Sequence, residues 1–174
     1  MGLDSSEREA PQLTPDEWRE KAKTILLNRL SRGPRSKLQL AQLLAKREVP
    51  EEFALEILER FEEVGLIDDK SFAQAFSHDR RSSRGLAKRA LARELNGLGV
   101  NQEIVAEVLD EIDPEDDLAL AVSLVERRWN SLESLDWQAR SRRLYAYLGR
   151  RGFGAATIGA AIAQVEAARR AGLN

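Results

Sequence analysis

Apolar residues recur along this chain in a triplet that appears three times, with gaps of four and then five positions. The copies are Leu40, Leu44, Val49; Leu91, Leu95, Val100; and Leu144, Leu148, Phe153. After a short polar step each copy is followed by a second stripe at helical spacing. It reads Phe53, Ile57, Leu58, Phe61, then Ile104, Val108, Leu109, Ile112, then Ile158, Ala161, Ile162, Val165. Self-similarity at this period is the mark of stacked supersecondary units, since one helix pair cannot cover its own apolar stripe. The pattern predicts an all-α fold of three tandem three-helix, helix-turn-helix-like repeats forming an elongated, curved array. Two-residue alternation is absent and β-branched residues are scarce, which leaves no place for strands.

Local signals divide the chain. Residues 1–14 are polar, broken by proline and without periodicity, and are expected to form a disordered N-terminal tail. Repeat 1 occupies 15–65, repeat 2 66–113 and repeat 3 114–170. A first helix starts with Thr14 as cap, Pro15 in the first turn, Glu17 three positions on, and Trp18, Ala22, Ile25 and Leu26 along one face. The run SRGPRS at 31–36 ends it, and Ser36 can cap the next helix. Helices are then expected near 36–47, 50–64, 69–83, 86–97 and 101–112, from Pro114 to about Asn130, and near 136–150 and 155–170. Gly65, Gly99 and Gly152 stand where left-handed corners are wanted. Glu48 takes that place in the first copy, where it must either avoid a positive φ or carry strain.

Composition narrows the function. The 174 residues are 43% hydrophobic and 32% charged, which suits a globular chain with much solvated helix surface. There is no cysteine, hence no disulfide, thiolate metal site or cysteine nucleophile. A lone histidine, His78, on a linking helix reads as a surface position, and no cofactor is expected. Asp68 and Asp69 read as helix caps, not a magnesium site. No phosphate loop or nucleophile elbow occurs, and the expectation is that the protein is not an enzyme. No apolar run is long enough to span a membrane and no signal-peptide core opens the chain, so a cytoplasmic protein is expected.

Net charge is only −2, but it is sorted into blocks. Residues 79–93 carry six bases against Asp79, and 138–174 seven arginines against Glu166; 101–117 hold eight acids and no base. The candidate DNA- or filament-binding residues are Arg80, Arg81, Arg84, Lys88, Arg89 and Arg93 in the first block, and five of the seven arginines in the second: Arg140, Arg142, Arg143, Arg150 and Arg151. Lys88, Arg89 and Arg93 share one face of a helix. Such clusters can neutralise phosphates without reading sequence. Neither patch is expected to expose an aromatic for base stacking, Trp129 and Trp137 being read as packing residues at a helix junction. The second helices open PEEFALEIL and NQEIVAEVL, and those acids argue against reading a DNA groove.

Four segments, in order and spacing, resemble the RecX regulatory family over residues 20–168: RSKLQLAQLLAKREVP (35–50), GLIDDKSFAQAF (65–76), RGLAKRALARELNGLGV (84–100) and LYAYLGRRGF (144–153). The resemblance implies a tandem of three-helix repeats. It also implies a non-enzymatic modulator of the RecA recombinase that binds RecA filaments on single-stranded DNA. Mainly as an inhibitor, it would restrain filament growth, ATP hydrolysis and strand exchange in homologous recombination, DNA repair and the SOS response. Implied partners are the RecA filament and, non-specifically, single- and double-stranded DNA, with no membrane and a monomeric chain. The alternative reading is a sequence-independent DNA-binding helical module that acts without RecA. The chain departs from the family pattern at Glu48, where glycine is usual, and at SRGP before Arg35.

Overall fold

Helix signals in the sequence are realised one by one in the computed structural model, which describes residues 13–172. Among the described residues there are nine α-helices, one 3-10 turn and no strand. The expected tail falls mostly on residues 1–12, outside the described part. The chain divides into two compact units, Met1–Asp68 and Asp69–Asn174.

The first unit contains α1 (Pro15–Leu30), α2 (Lys37–Lys46) and α3 (Glu51–Glu63). Thr14 closes a capping box: its hydroxyl accepts from the Glu17 N–H (3.3 Å) and its own N–H donates to the Glu17 carboxylate (2.7 Å). The Thr14 N–H, followed by its hydroxyl, holds that carboxyl below its ordinary pKa. Ser36 and Gln39 make the same reciprocal pair at α2. Leu26, Leu40 and Leu44 are fully enclosed, with Val49, Phe53, Leu58, Phe61 and Ile67 around them. Burying each such side chain contributes roughly 1.5–3 kcal/mol.

The second unit contains two bundles. One is α4 (Asp69–Arg84), α5 (Lys88–Gly97) and α6 (Gln102–Asp110) around Phe72, Leu91, Leu95, Val100 and Val108. The other is α7 (Pro114–Trp129), a 3-10 turn at Asn130–Leu132, α8 (Trp137–Arg150) and α9 (Ala155–Arg170) around Leu144, Leu148, Phe153, Ile162 and Val165. The all-α class and the three-helix repeats are therefore present as the periodicity indicated.

The repeated triplet is a helix C-terminal motif. In each copy the last apolar residue donates its N–H to the carbonyl five positions back: Val49 to Leu44 (3.1 Å), Val100 to Leu95 (3.2 Å), Phe153 to Leu148 (3.3 Å). The residue between donates three positions back: Glu48 to Ala45, Gly99 to Asn96 and Gly152 to Gly149, all at 3.0 Å. This is the Schellman arrangement, whose apolar clasp sets the spacing of five. It requires a left-handed residue, and Gly99 (φ 78°) and Gly152 (φ 91°) supply it. Glu48 does not avoid the conformation; it adopts φ 58° and is the one non-glycine with positive φ among the described residues.

The largest boundary differences from expectation are of two residues, at α6, which ends at Asp110 and not near 112, and at α5. Helix α5 begins at Lys88 and not near 86, because Gly85 (φ 64°) turns the chain and Ala87 stays extended at φ −84°, ψ 166°. Helix α7 ends at Trp129, and the 3-10 turn takes over at Asn130. Among the described residues no helix is long and apolar enough to cross a membrane.

Candidate functional site

The start of α5 is built against the corner between α8 and α9. Leu86 is buried, and the Ala87 N–H donates to the Arg151 carbonyl at 2.9 Å, so this helix start leans on the neighbouring repeat. Ala87 itself packs in the core of that repeat. Gly152 lies so close to α5 that a Cβ there would sit 2.5 Å from the Ala90 nitrogen and 2.8 Å from its Cβ. Gly85 is confined in turn, its missing Cβ lying 3.0 Å from the Leu124 methyls.

Five of the basic residues singled out from sequence have partners within the chain. Arg151 donates to the carbonyls of Arg84 (3.2 Å) and Tyr147 (3.4 Å) and stacks on the Tyr147 ring at 3.9 Å. It braces the junction between the repeats. Arg140 gathers the carbonyls of Leu132, Glu133 and Leu135 at 2.8–3.2 Å and lies 5.0 Å over Trp129. That closes the turn between α7 and α8, where the Leu132 carbonyl also accepts from the Leu135 N–H (3.1 Å). Arg81 forms an ion pair with Asp117, both largely enclosed, and ties α4 to α7. Arg80 pairs with Asp79 (2.8 Å) and Glu94 (3.3 Å), and Arg84 with Glu94 (2.9 Å).

The other six stand differently. The side chains of Lys88, Arg89, Arg93, Arg142, Arg143 and Arg150 make no hydrogen bond or ion pair among the described residues. All but the half-buried Lys88 are exposed. Arg89 and Arg142 hold the same place in their repeats, two positions before Leu91 and Leu144. Lys88 and Arg89 follow Ala87 directly and Arg150 precedes Arg151, so the Ala87–Arg151 hydrogen bond draws these three residues to one junction.

Electrostatics at this junction are unbalanced. The first turn of α5 has two cations, no acid and no capping side chain, so positive charge is stacked on the positive end of the helix. An exposed charge of the wrong sign there typically costs 0.3–1 kcal/mol, which a bound anion reverses.

Two side chains were misjudged from sequence. Trp129 is buried, but Trp137 is 48% exposed and Tyr145 40% exposed, so the second patch does carry aromatics. Both lie on α8 and share a ridge with Ser141 at i, i+4, i+8, a spacing that was available in the sequence.

Other candidates carry less. His78 is exposed on α4 beside a hollow of about 260 Å³ that Arg81, Glu111 and Asp116 also line. Among the described residues no group of three His, Cys, Asp or Glu side chains is placed to hold a metal. Helix α4 starts at Asp69. Several acids brace their own repeats: Arg19–Glu56 at 2.8 Å joins α1 to α3, and Lys70–Glu107 at 2.5 Å joins α4 to α6 in the same register.

Comparison with known proteins follows this repeat structure. Family models described as the first, second and third three-helix domains of RecX match residues 22–61, 68–109 and 115–162. The chain is 44% identical over 152 residues to "Regulatory protein RecX" of Streptomyces coelicolor, covering 87% of this chain and 81% of that protein. It is 40% identical over 141 residues to the Thermobifida fusca protein of that name, covering 81% and 76%. The Mycobacterium tuberculosis protein of the same name is 38% identical over 148 residues, covering 83% and 85%. Among solved structures, RecX from Lactobacillus salivarius superposes with a TM-score of 0.80 at 18% identity, over 87% of this chain and 98% of that one. A second regulatory protein RecX gives 0.75 at 20% identity, over 86% and 77%. At those identities the superpositions bear on the fold alone.

Proposed function

The chain belongs to the RecX family of regulatory proteins, and from that premise we propose that it binds RecA filaments on single-stranded DNA and restrains them. Filament growth, ATP hydrolysis and strand exchange are the activities held back, in the cytoplasm, with the protein contributing contacts and no chemistry. The observation that carries this reading is the set of six unpaired cations on α5 and α8, three of which, Lys88, Arg89 and Arg150, adjoin the Ala87–Arg151 hydrogen bond. A polyanion, or an acidic filament surface, satisfies them where the fold does not. Lys88, Arg89, Arg93, Arg142, Arg143 and Arg150 are the contacting residues in this account. Arg80, Arg81, Arg84, Arg140 and Arg151 shape and hold the surface.

The test is the DNA-dependent ATPase of the cognate RecA. Sub-stoichiometric protein is expected to lower it, and replacing the six contacting residues by alanine to relieve the inhibition while far-ultraviolet circular dichroism stays unchanged. No effect of the unaltered chain at equimolar ratio would sink the proposal. A second reading, direct binding of single strands without RecA, draws support from Trp137 and Tyr145. Exposed rings beside arginines can stack bases, each worth about 1–3 kcal/mol. Equal affinity for bare DNA and for filament would favour it.

A further inference from the structure

We propose that an open groove between α2 and α3, in the first unit, is a docking site for a basic amphipathic helix of a partner protein, anchored by a large apolar side chain. The groove has a volume of about 380 Å³ and its walls are apolar: Ala41 and Ala45 on α2, Ala54, Leu55 and Leu58 on α3, and Val49 at the corner. Leu55 is 49% exposed, and Leu38, one turn before Ala41, is 40% exposed. Neither exposure serves the core, which is complete without them.

The repeats themselves show what fits such a groove. In register, Ala41 corresponds to Tyr145 and Leu55 to Gly159. In the third repeat the Tyr145 ring crosses from α8 to α9, its hydroxyl 3.0 Å from the point where a Gly159 Cβ would lie. A large side chain of the chain itself therefore covers that place. In the first repeat the tyrosine is an alanine and the space stands open, shaped for an aromatic or leucine supplied from outside.

Charge selects the partner's sign. Glu52 and Glu59 lie one turn to either side of Leu55 on α3, and Glu51 lines the groove. All three are exposed and none has an ion pair among the described residues. Their neighbours on the same helix are taken: Glu56 by Arg19, Glu62 by Lys37 and Glu63 by Arg60. An apolar slot beside unpaired carboxylates matches a helix with anchors one turn apart and lysine or arginine on its flank. None of the six cations in the proposed filament contact takes part, so this inference stands or falls separately.

The experiment titrates the full chain into a fluorescently labelled synthetic helical peptide with Trp and Leu one turn apart and lysines on its polar face. Saturable binding is expected. Ala41→Tyr, which copies the filled third repeat, weakens it at least about tenfold, as loss of a central anchor pocket does. Glu52→Gln with Glu59→Gln, which leaves packing untouched, also weakens it and flattens its salt dependence. Peptides with the anchors changed to alanine or the lysines to glutamate do not bind. Failure of the lysine peptide to bind overturns the proposal, as does unchanged affinity in a folded Ala41→Tyr protein or equal binding of the glutamate peptide. Self-association of the chain that competes with the peptide also overturns it, by making a second copy the occupant.

Discussion

Glu48 and Gly152 occupy the same place in their repeats and show how much one residue can hold in reserve or forbid. Glu48 sits at φ 58° with an exposed side chain that makes no ion pair among the described residues. Left-handed backbone costs a residue with a Cβ about 1–2 kcal/mol, and glycine's greater freedom in the unfolded chain returns part of that. Glu48→Gly is therefore predicted to raise the unfolding free energy of the first unit by about 0.5–1 kcal/mol, read from the urea midpoint. A lower midpoint would contradict it. Gly152→Ala is predicted to do the reverse. It combines φ 91° with a Cβ 2.5 Å from the Ala90 nitrogen, so strain of about 1–2 kcal/mol adds to overpacking of about 1–3. Thermal denaturation unchanged from the parent would show that α5 yields freely. The left-handed corner was legible in the sequence at this scale; the pressure of Ala90 on it was not, because that neighbour lies far away along the chain. Arginine roles escaped for the same reason. Arg140 and Arg151 are held by backbone carbonyls, which any sequence supplies and no spacing advertises.

Elements were legible wherever local chemistry decides them. The boxes at Thr14 and Ser36, and the clasps that end α2, α5 and α8, depend on residues within six positions of one another. Helix α5 is the exception that teaches. Its start is set by the Ala87–Arg151 hydrogen bond and by the turn at Gly85, so propensity alone extended it too far. That same bond gives the element its proposed task, holding Lys88 and Arg89 at an uncapped helix start beside Arg150. Each phosphate neutralised on a single strand contributes a slope of about −0.7 to log K against log salt. Changing Lys88, Arg89 and Arg93 to alanine is predicted to reduce that slope by about 2 for poly(dT), with helicity kept or slightly raised. A slope that does not change would place these side chains outside the contact.

Across the whole molecule, a net charge of −2 conceals the difference between bound and unbound charge. Both basic segments hold a strong excess of bases by count, but the fold consumes five of the eleven candidate cations in braces and leaves six. What matters for a polyanion is the remainder. The period of the apolar triplets sets the number of repeats, because every repeat uses the same clasp. Their contacts were not foreseeable in detail: Ala87 serves the core of the next repeat, and Arg81 and Asp117 join α4 to α7. Exposure of Trp137 and Tyr145 was missed because an aromatic in a helical stripe is ordinarily core.

The central claim is that this chain engages a RecA filament more strongly than it engages DNA or RecA singly. Co-sedimentation measures it most directly: the protein is spun with RecA assembled on single-stranded DNA, with that DNA alone and with RecA alone. Retention in the filament pellet well above the other two is predicted, falling to their level when Lys88, Arg89, Arg93, Arg142, Arg143 and Arg150 are all alanine. Equal recovery with bare DNA and with filament would contradict the account.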